Sequence, residues 1–198
     1  MAKVIMHAVA SVDGFIADDH DDVGPLFDWY FNGDRPLTDA AGEALHAPFR
    51  LGETSFDYVN PFWQSIGAMV MGRRLFDLTN GWEAQPPTGE HLVVVSHRPK
   101  PEGWHPEADV PFFADVREAV AEAERRAGDR VVAVTAGVMG GAALAAGLVD
   151  EVAMDVVPVV FGRGRRYFGE VDGQVLLEDP DVVIRGDRVL HLRYRVAR

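Results

Sequence analysis

The chain has no cysteine, which removes disulfides, thiolate metal sites and cysteine nucleophiles together. Basic residues are scarce as well: 19 Lys and Arg stand against 31 Asp and Glu, for a net charge of −12. That balance disfavours nucleic acid or an anionic membrane as the partner, so any basic site is a local exception. No apolar run approaches the roughly 20 residues of a membrane span. The opening Met1-Ala2-Lys3 leads into a run broken by His7, Ser11 and Asp13, unlike a secretory leader. A cytoplasmic protein is expected. What is present is ordinary for a globular chain: 198 residues, 47% hydrophobic and 25% charged, enough for one domain with a full-sized core. No internal repeat or domain linker interrupts it.

The most informative stretch is Gly67-Ala68-Met69-Val70-Met71-Gly72-Arg73-Arg74. A short unbroken apolar run suits a strand buried on both faces, and it stops at a glycine followed by two arginines. Gly72 lets a ligand approach the backbone, and the helix start after it offers free N–H groups to an anion. Arg73 and Arg74 add guanidinium forks that suit phosphate oxygens. The bland alternative is a strand leaving the core with its arginines solvated. His91-Leu92-Val93-Val94-Val95-Ser96-His97-Arg98 repeats the design. If both strands end at one edge of a parallel sheet, a basic patch forms where open α/β sheets bind ligands.

The first strand, Val4 to Ala10, carries His7, which reads as a packed core residue more readily than as a ligand. Asp18-Asp19-His20-Asp21-Asp22 packs carboxylates around one histidine, but it lacks the ligand spacing of a calcium loop and reads as solvated; no metal is expected. Leu26-Phe27-Asp28-Trp29-Tyr30-Phe31 is strongly aromatic with a single acid. Either those neighbours desolvate Asp28, making it a group that anchors or protonates a heterocycle, or Asp28 caps a helix before Trp29. Residues 32–64 are rich in Gly, Pro and charge, with a helical piece at 39–47; a lid, binding loop or subunit contact is expected there.

Farther on, Asp115 and Glu118 open a helix whose Val116, Ala119, Val120 and Ala123 share a face, ending at Gly128. Val131 to Val134 is a buried strand running into Thr135-Ala136-Gly137-Val138-Met139-Gly140-Gly141 and a small-residue helix. A strand, a Gly-rich turn and a helix suit a pyrophosphate; close helix–sheet packing is the alternative use of those small residues. A further strand spans 150–160, and 181–196 alternates around Gly186-Asp187 as an antiparallel hairpin at a sheet edge.

In family order, four groups of residues carry a resemblance: Ser11-Val12-Asp13-Gly14-Phe15-Ile16-Ala17; Met71-Gly72-Arg73-Arg74; Val93-Val94-Val95-Ser96-His97-Arg98; and Ala146 to Glu151 followed by Val157-Pro158-Val159-Val160-Phe161-Gly162-Arg163-Gly164. The chain resembles the dihydrofolate reductase-like superfamily, in the group of the reductase domain of the bifunctional riboflavin-biosynthesis deaminase-reductase. The resemblance implies an α/β, three-layer fold with a mixed, mostly parallel central sheet and a C-terminal antiparallel hairpin. It also implies NADPH as cofactor, a pterin-, pyrimidine- or flavin-precursor-like substrate, and a homodimer. On that basis Ala10, Ile16 and Ala17 flank the nicotinamide, and Gly72, Arg73 and Arg74 contact phosphates. Ser96, His97 and Arg98 lie near the 2′-phosphate, and Gly137, Val138 and Met139 line the pyrophosphate. Where many relatives carry adjacent glycines, this chain has Thr135-Ala136-Gly137. The deaminase half's His-x-Glu combined with Cys-x-x-Cys is not found, since the chain has no cysteine. A nucleotide-binding module without catalysis and a regulatory dimer of the same fold are the competing classes.

Overall fold

The main apolar runs read as strands in the sequence are strands in the computed structural model, which describes residues 2–39, 42 and 49–197. In chain order the strands are β1 (Val4–Ser11), β2 (Phe15–Ala17), β3 (Arg35–Pro36), β4 (Arg50–Leu51), β5 (Ile66–Gly72), β6 (His91–Val95), β7 (Phe112–Phe113), β8 (Val131–Thr135), β9 (Glu151–Val157), β10 (Arg165–Arg166), β11 (Val182–Arg185) and β12 (Leu190–Arg195). Eight of them form one sheet in the order β11-β12-β9-β1-β8-β5-β6-β7. From β9 to β7 all neighbours are parallel, and the β11–β12 hairpin joins antiparallel to β9. The mixed, mostly parallel sheet with a C-terminal hairpin is therefore as expected.

Four α-helices complete the layers: α1 (Glu53–Ser65), α2 (Arg73–Thr79), α3 (Val116–Ala127) and α4 (Val138–Ala145), with a 3-10 helix at Gly24–Phe31. Strand alternation assigns the faces. Met6, Ala10, Val70 and Val134 pack with Ala119, Val120 and Ala123 of α3 and with Ala143 and Leu144 of α4. Ile5, Val9 and Ala133 face the other way, onto Leu26, Trp29 and Tyr30 of the 3-10 helix and Val59, Phe62 and Trp63 of α1. On that second face, farther along the sheet, α2 sets Phe76 on Met69, Met71, Leu92 and Val94. Asp115 caps α3 by accepting from Arg117 N at 2.6 Å.

Residues 32–64 turn out to be two things. The last part is α1, a layer of the fold, and Val59, Phe62 and Trp63 share the buried side that outweighs the Pro61 inside the helix. Before it, β3 and β4 pair as a separate two-stranded ribbon. The helical piece read at 39–47 falls largely outside the described residues.

Small residues in α4 serve close packing. A Cβ on Gly141 would lie 2.0 Å from the Phe168 carbonyl oxygen, and one on Gly140 would lie 2.5 Å from that of Thr135. Backbone atoms cannot step aside as a flexible side chain does. Gly141→Ala should therefore destabilise the protein by about 1–3 kcal/mol, the usual cost of overpacking. A denaturant midpoint equal to that of the parent would show that α4 moves freely off the Tyr167-Phe168 segment.

Candidate active site

Parallel strands β1, β5, β6, β8 and β9 all end at one edge of the sheet, but they do not end level. Thr135, the last residue of β8, pairs with His7, while β1 continues beside β9 until Ser11 meets Val157. Past the His7–Thr135 pair the two strands part. Their continuations also diverge: β8 turns directly into α4 on the first face, whereas β1 runs through β2 before the chain reaches the 3-10 helix on the second. Neighbouring strands whose connections diverge leave a crevice at their carboxyl ends, where ligands bind in open α/β sheets.

Four segments line this edge. Gly137 adopts φ +93°, ψ −158°, a conformation glycine alone enters readily, and a Cβ there would lie 3.4 Å from Ile16 Cδ1. Of the three glycines near this turn, Gly137 shapes the edge and Gly140 and Gly141 pack α4. Val138, opening α4, is 75% exposed, and Met139 reaches toward Gly72. Ala10 is fully buried in the core under α4, so it backs the crevice wall, and Ala17 is also buried. The Ser11–Ala17 loop is pinned by Asp13, whose carboxylate accepts from Ser11 Oγ at 2.6 Å, Gly162 N at 2.7 Å and Phe161 N at 3.1 Å.

The register Gly72↔Val95 brings Arg73-Arg74 and Ser96-His97-Arg98 to the same edge, as the repeated strand design predicts. Their charges are not free. Arg73 donates to Asp77 at 2.7 Å and to the Pro99 carbonyl at 3.0 Å, and it lies against Ser96; it serves as an internal strut. Arg98 donates to the other oxygen of Asp77 at 2.7 Å. Arg74 holds Asp21 with two guanidinium nitrogens, and Arg165 donates to the same carboxylate at 2.9 Å. A cavity of about 340 Å³ lies between these groups, lined by Asp21, Arg74, Asp77, Leu78 and Arg98. Four guanidinium groups face two carboxylates here, so the locality is basic within an acidic chain. His97 is exposed.

Asp21 comes from the acidic run that reads as solvated in the sequence. Instead the run is a built turn: the Asp18 carboxylate accepts from His20 N and Asp22 N, which aims Asp21 inward. Its φ of 67° lies in the left-handed region that aspartate tolerates. The Arg74 hydrogen bonds, outweighing burial and helped by Arg165, hold its carboxyl down to about 2 from an ordinary 3.8. A depressed carboxyl adds stability above its ordinary pKa, and that stability is lost as pH falls through the folded value. Asp21→Asn should thus flatten stability against pH between about 4 and 2, while costing only ~1 kcal/mol at neutral pH because its partners are solvent-screened. Thermal midpoints across the acid range check this.

Asp28 departs from both expectations. The three-residue period of the 3-10 helix turns Leu26 and Trp29 into the core and leaves Asp28 exposed on the outside. Its aromatic neighbours do not desolvate it, and it lies inside the helix, not at the cap.

The buried acid of this region is Asp155 of β9, 2% exposed, whose partner His191 has Trp29 edge-on at 5.2 Å. His7 Nε2 lies 2.8 Å from one of its oxygens and His191 Nδ1 lies 2.6 Å from the other; His191 Nε2 contacts Ser55 Oγ of α1 at 3.0 Å. Burial pushes the Asp155 carboxyl up, yet the two imidazoles outweigh it and keep it below the ordinary range. Sequence reading takes His7 as core packing and assigns no role to Asp155 or His191. The available signal was three ionisable residues inside apolar strands, each too costly to bury alone. Among the described residues, no cluster suited to holding a metal ion is found, and no helix is long and apolar enough to cross a membrane.

A three-layer α/β fold with a stepped carboxyl edge, a glycine turn before α4 and arginines after β5 and β6 defines a dihydrofolate reductase-like protein. The family model described as the RibD C-terminal domain matches residues 2–190, and the chain belongs to that family, a reductase family of the riboflavin pathway. Among solved structures it is similar to a riboflavin biosynthesis protein from Shewanella sp. PV-4, with 21% identity, full coverage of both chains and a TM-score of 0.66. It is similar to Acinetobacter baumannii RibD at 16% identity and a TM-score of 0.63, covering 100% of this chain and 58% of that one. A Thermotoga maritima diaminohydroxyphosphoribosylaminopyrimidine deaminase/5-amino-6-(5-phosphoribosylamino)uracil reductase matches at 14% identity and a TM-score of 0.61, over 99% of this chain and 57% of that one. The chain thus spans under three fifths of the length of the latter two. At these identities the likeness carries the fold. No curated protein sequence matches.

Proposed function

We propose that the chain is an NADPH-dependent reductase acting on a pterin-, pyrimidine- or flavin-precursor-like molecule. The observation that carries this reading is the parting of β1 and β8 beyond the His7–Thr135 pair, with a glycine turn on one side and an arginine cluster beside it. The residues present fit a dinucleotide phosphate. Gly137 leaves the turn open to a pyrophosphate, with Val138 and Met139 beside it, and Gly72 lets the chain pass close. Arg74 and Arg98 line the neighbouring cavity and suit a 2′-phosphate, with Ser96 and His97 at its border; Arg73 holds the cluster in shape. Ile16 and Ala17 flank the place for the nicotinamide, which when bound supplies a hydride. The protein's own part is binding, orientation and exclusion of water.

A thermal-shift comparison of NADPH, NADH, flavin mononucleotide and folates tests the cofactor. Native-state binding at a hundredfold excess over Kd adds about 2.7 kcal/mol, so NADPH should raise the melting temperature clearly. Turnover is then followed as NADPH oxidation with 5-amino-6-(5-phosphoribosylamino)uracil. No stabilisation by any dinucleotide would overturn the reading, and binding without oxidation would favour a non-catalytic module. Because its side chain is exposed, Asp28→Asn should leave turnover unchanged; a large loss would return Asp28 to the site.

A homodimer belongs to the same proposal. Strand β11 is an unpaired edge of the eight-stranded sheet, and Val183 on it is 61% exposed. Light scattering at micromolar concentration should give twice the chain mass of 21.7 kDa; the single mass would contradict it.

A further inference from the structure

His7 stands where the crevice begins. It is the last residue of β1 that pairs with β8, opposite Thr135, and beyond that pair β1 and β8 separate. Alternation turns His7 to the second face. There α1 covers the β9 and β1 side, α2 covers β5 and β6, and β8 between them ends in a half-buried Thr135. The His7 side chain is 15% exposed, whereas Asp155 and His191 behind it are 3% and 0% exposed. Nε2 of His7 is committed to Asp155, and among the described residues Nδ1 makes no hydrogen bond.

We propose that His7 contacts the substrate at the floor of this crevice and supplies the proton that accompanies hydride transfer, with Asp155 and His191 as positioning residues. The proposal rests on the reductase reading and adds its missing proton source. When a hydride adds to the carbon of a C=N or C=O group, the π electron pair moves to the nitrogen or oxygen. That atom takes the proton from Nδ1 of the His7 imidazolium, leaving neutral imidazole with Nε2–H still donated to Asp155. Solvent then restores the proton through the exposed part of the ring. Asp155 fixes which nitrogen faces the crevice. His191, bonded to the other carboxylate oxygen and to Ser55, holds Asp155 in place from β12 and α1. Phe62, edge-on to His7 at 5.2 Å, limits the ring's tilt.

Two measurements test the assignment. In the wild-type protein with labelled histidine, adding 5-amino-6-(5-phosphoribosylamino)uracil and NADP⁺ should shift the ring nitrogen signals of His7. A His7 ring unmoved at saturation overturns the proposal, whatever any variant does. His7→Gln keeps an N–H for Asp155 and offers no acid. It should lower kcat on the order of a hundredfold, with NADPH affinity and melting temperature near those of the parent. Asp155→Asn should lower kcat with KM little changed. A His7→Gln variant that turns over at the wild-type rate sinks the proposal alone and leaves the reductase standing. Failure of the wild type to bind or oxidise NADPH sinks both. If His7→Gln does not fold, the labelled wild-type spectrum decides by itself.

Discussion

Asp155→Ala should lower the unfolding free energy by about 3–5 kcal/mol, the cost of removing one partner from a buried charged pair. The carboxylate is 2% exposed and accepts from His7 at 2.8 Å and from His191 at 2.6 Å. Without it His191, 0% exposed, keeps one nitrogen on Ser55 and strands the other among Trp29 and Tyr58, whose rings lie 5.2 and 5.1 Å from its own. An unpaired polar atom in such a place costs its full desolvation. Three strands and a helix are also tied by this cluster: β1 through His7, β9 through Asp155, β12 through His191 and α1 through Ser55. The folded carboxyl lies below its ordinary 3.8, so its contribution is complete above that value and is lost as pH falls beneath it. Denaturant unfolding at neutral pH should show the full loss, and the gap between variant and parent should narrow in acid. A loss under about 1 kcal/mol, no more than an ordinary hydrogen bond gives, would mean that solvent reaches the cluster.

Replacing Arg74 and Arg98 together with alanine should weaken NADPH far more than NADH. Each charge-assisted bond to a phosphate contributes roughly 1.5–3 kcal/mol, which is on the order of ten- to a hundredfold in affinity. Only NADPH carries the 2′-phosphate those bonds would hold. Within the cluster Arg74 and Arg98 have the most open side chains, at 59% and 64%, whereas Arg73 is 17% exposed and serves the cluster internally. Asp21 and Asp77 already hold the two open guanidinium groups, so a phosphate must share or displace those carboxylates. Measured affinities for the two cofactors should converge in the double variant. Equal losses for both would move the 2′-phosphate elsewhere.

Much of the architecture was legible from composition along the chain. Short apolar runs closed by Gly72, Ser96 or Gly137 are buried parallel strands whether or not one knows their neighbours, because only a strand covered on both faces is apolar throughout. The Asp115 cap, the Gly128 stop and the alternation from Leu190 to Val196 are equally local, and each element lies where those signals put it. The arginines after β5 and β6 could be assigned to one edge because both strands follow the same pattern.

What the tertiary structure alone decided is which charges meet. His7, Asp155 and His191 are drawn from both ends of the chain and gathered by the register of three adjacent strands. Asp21 reaches Arg74 across 53 positions through a turn whose purpose no spacing reveals. Asp28 went the other way: its neighbours are aromatic in sequence, but a helical period points it away from them. Local signals specify backbone conformation and which face is apolar. Pairing of polar side chains depends on strand order and crossing geometry, and those are set by the whole core at once.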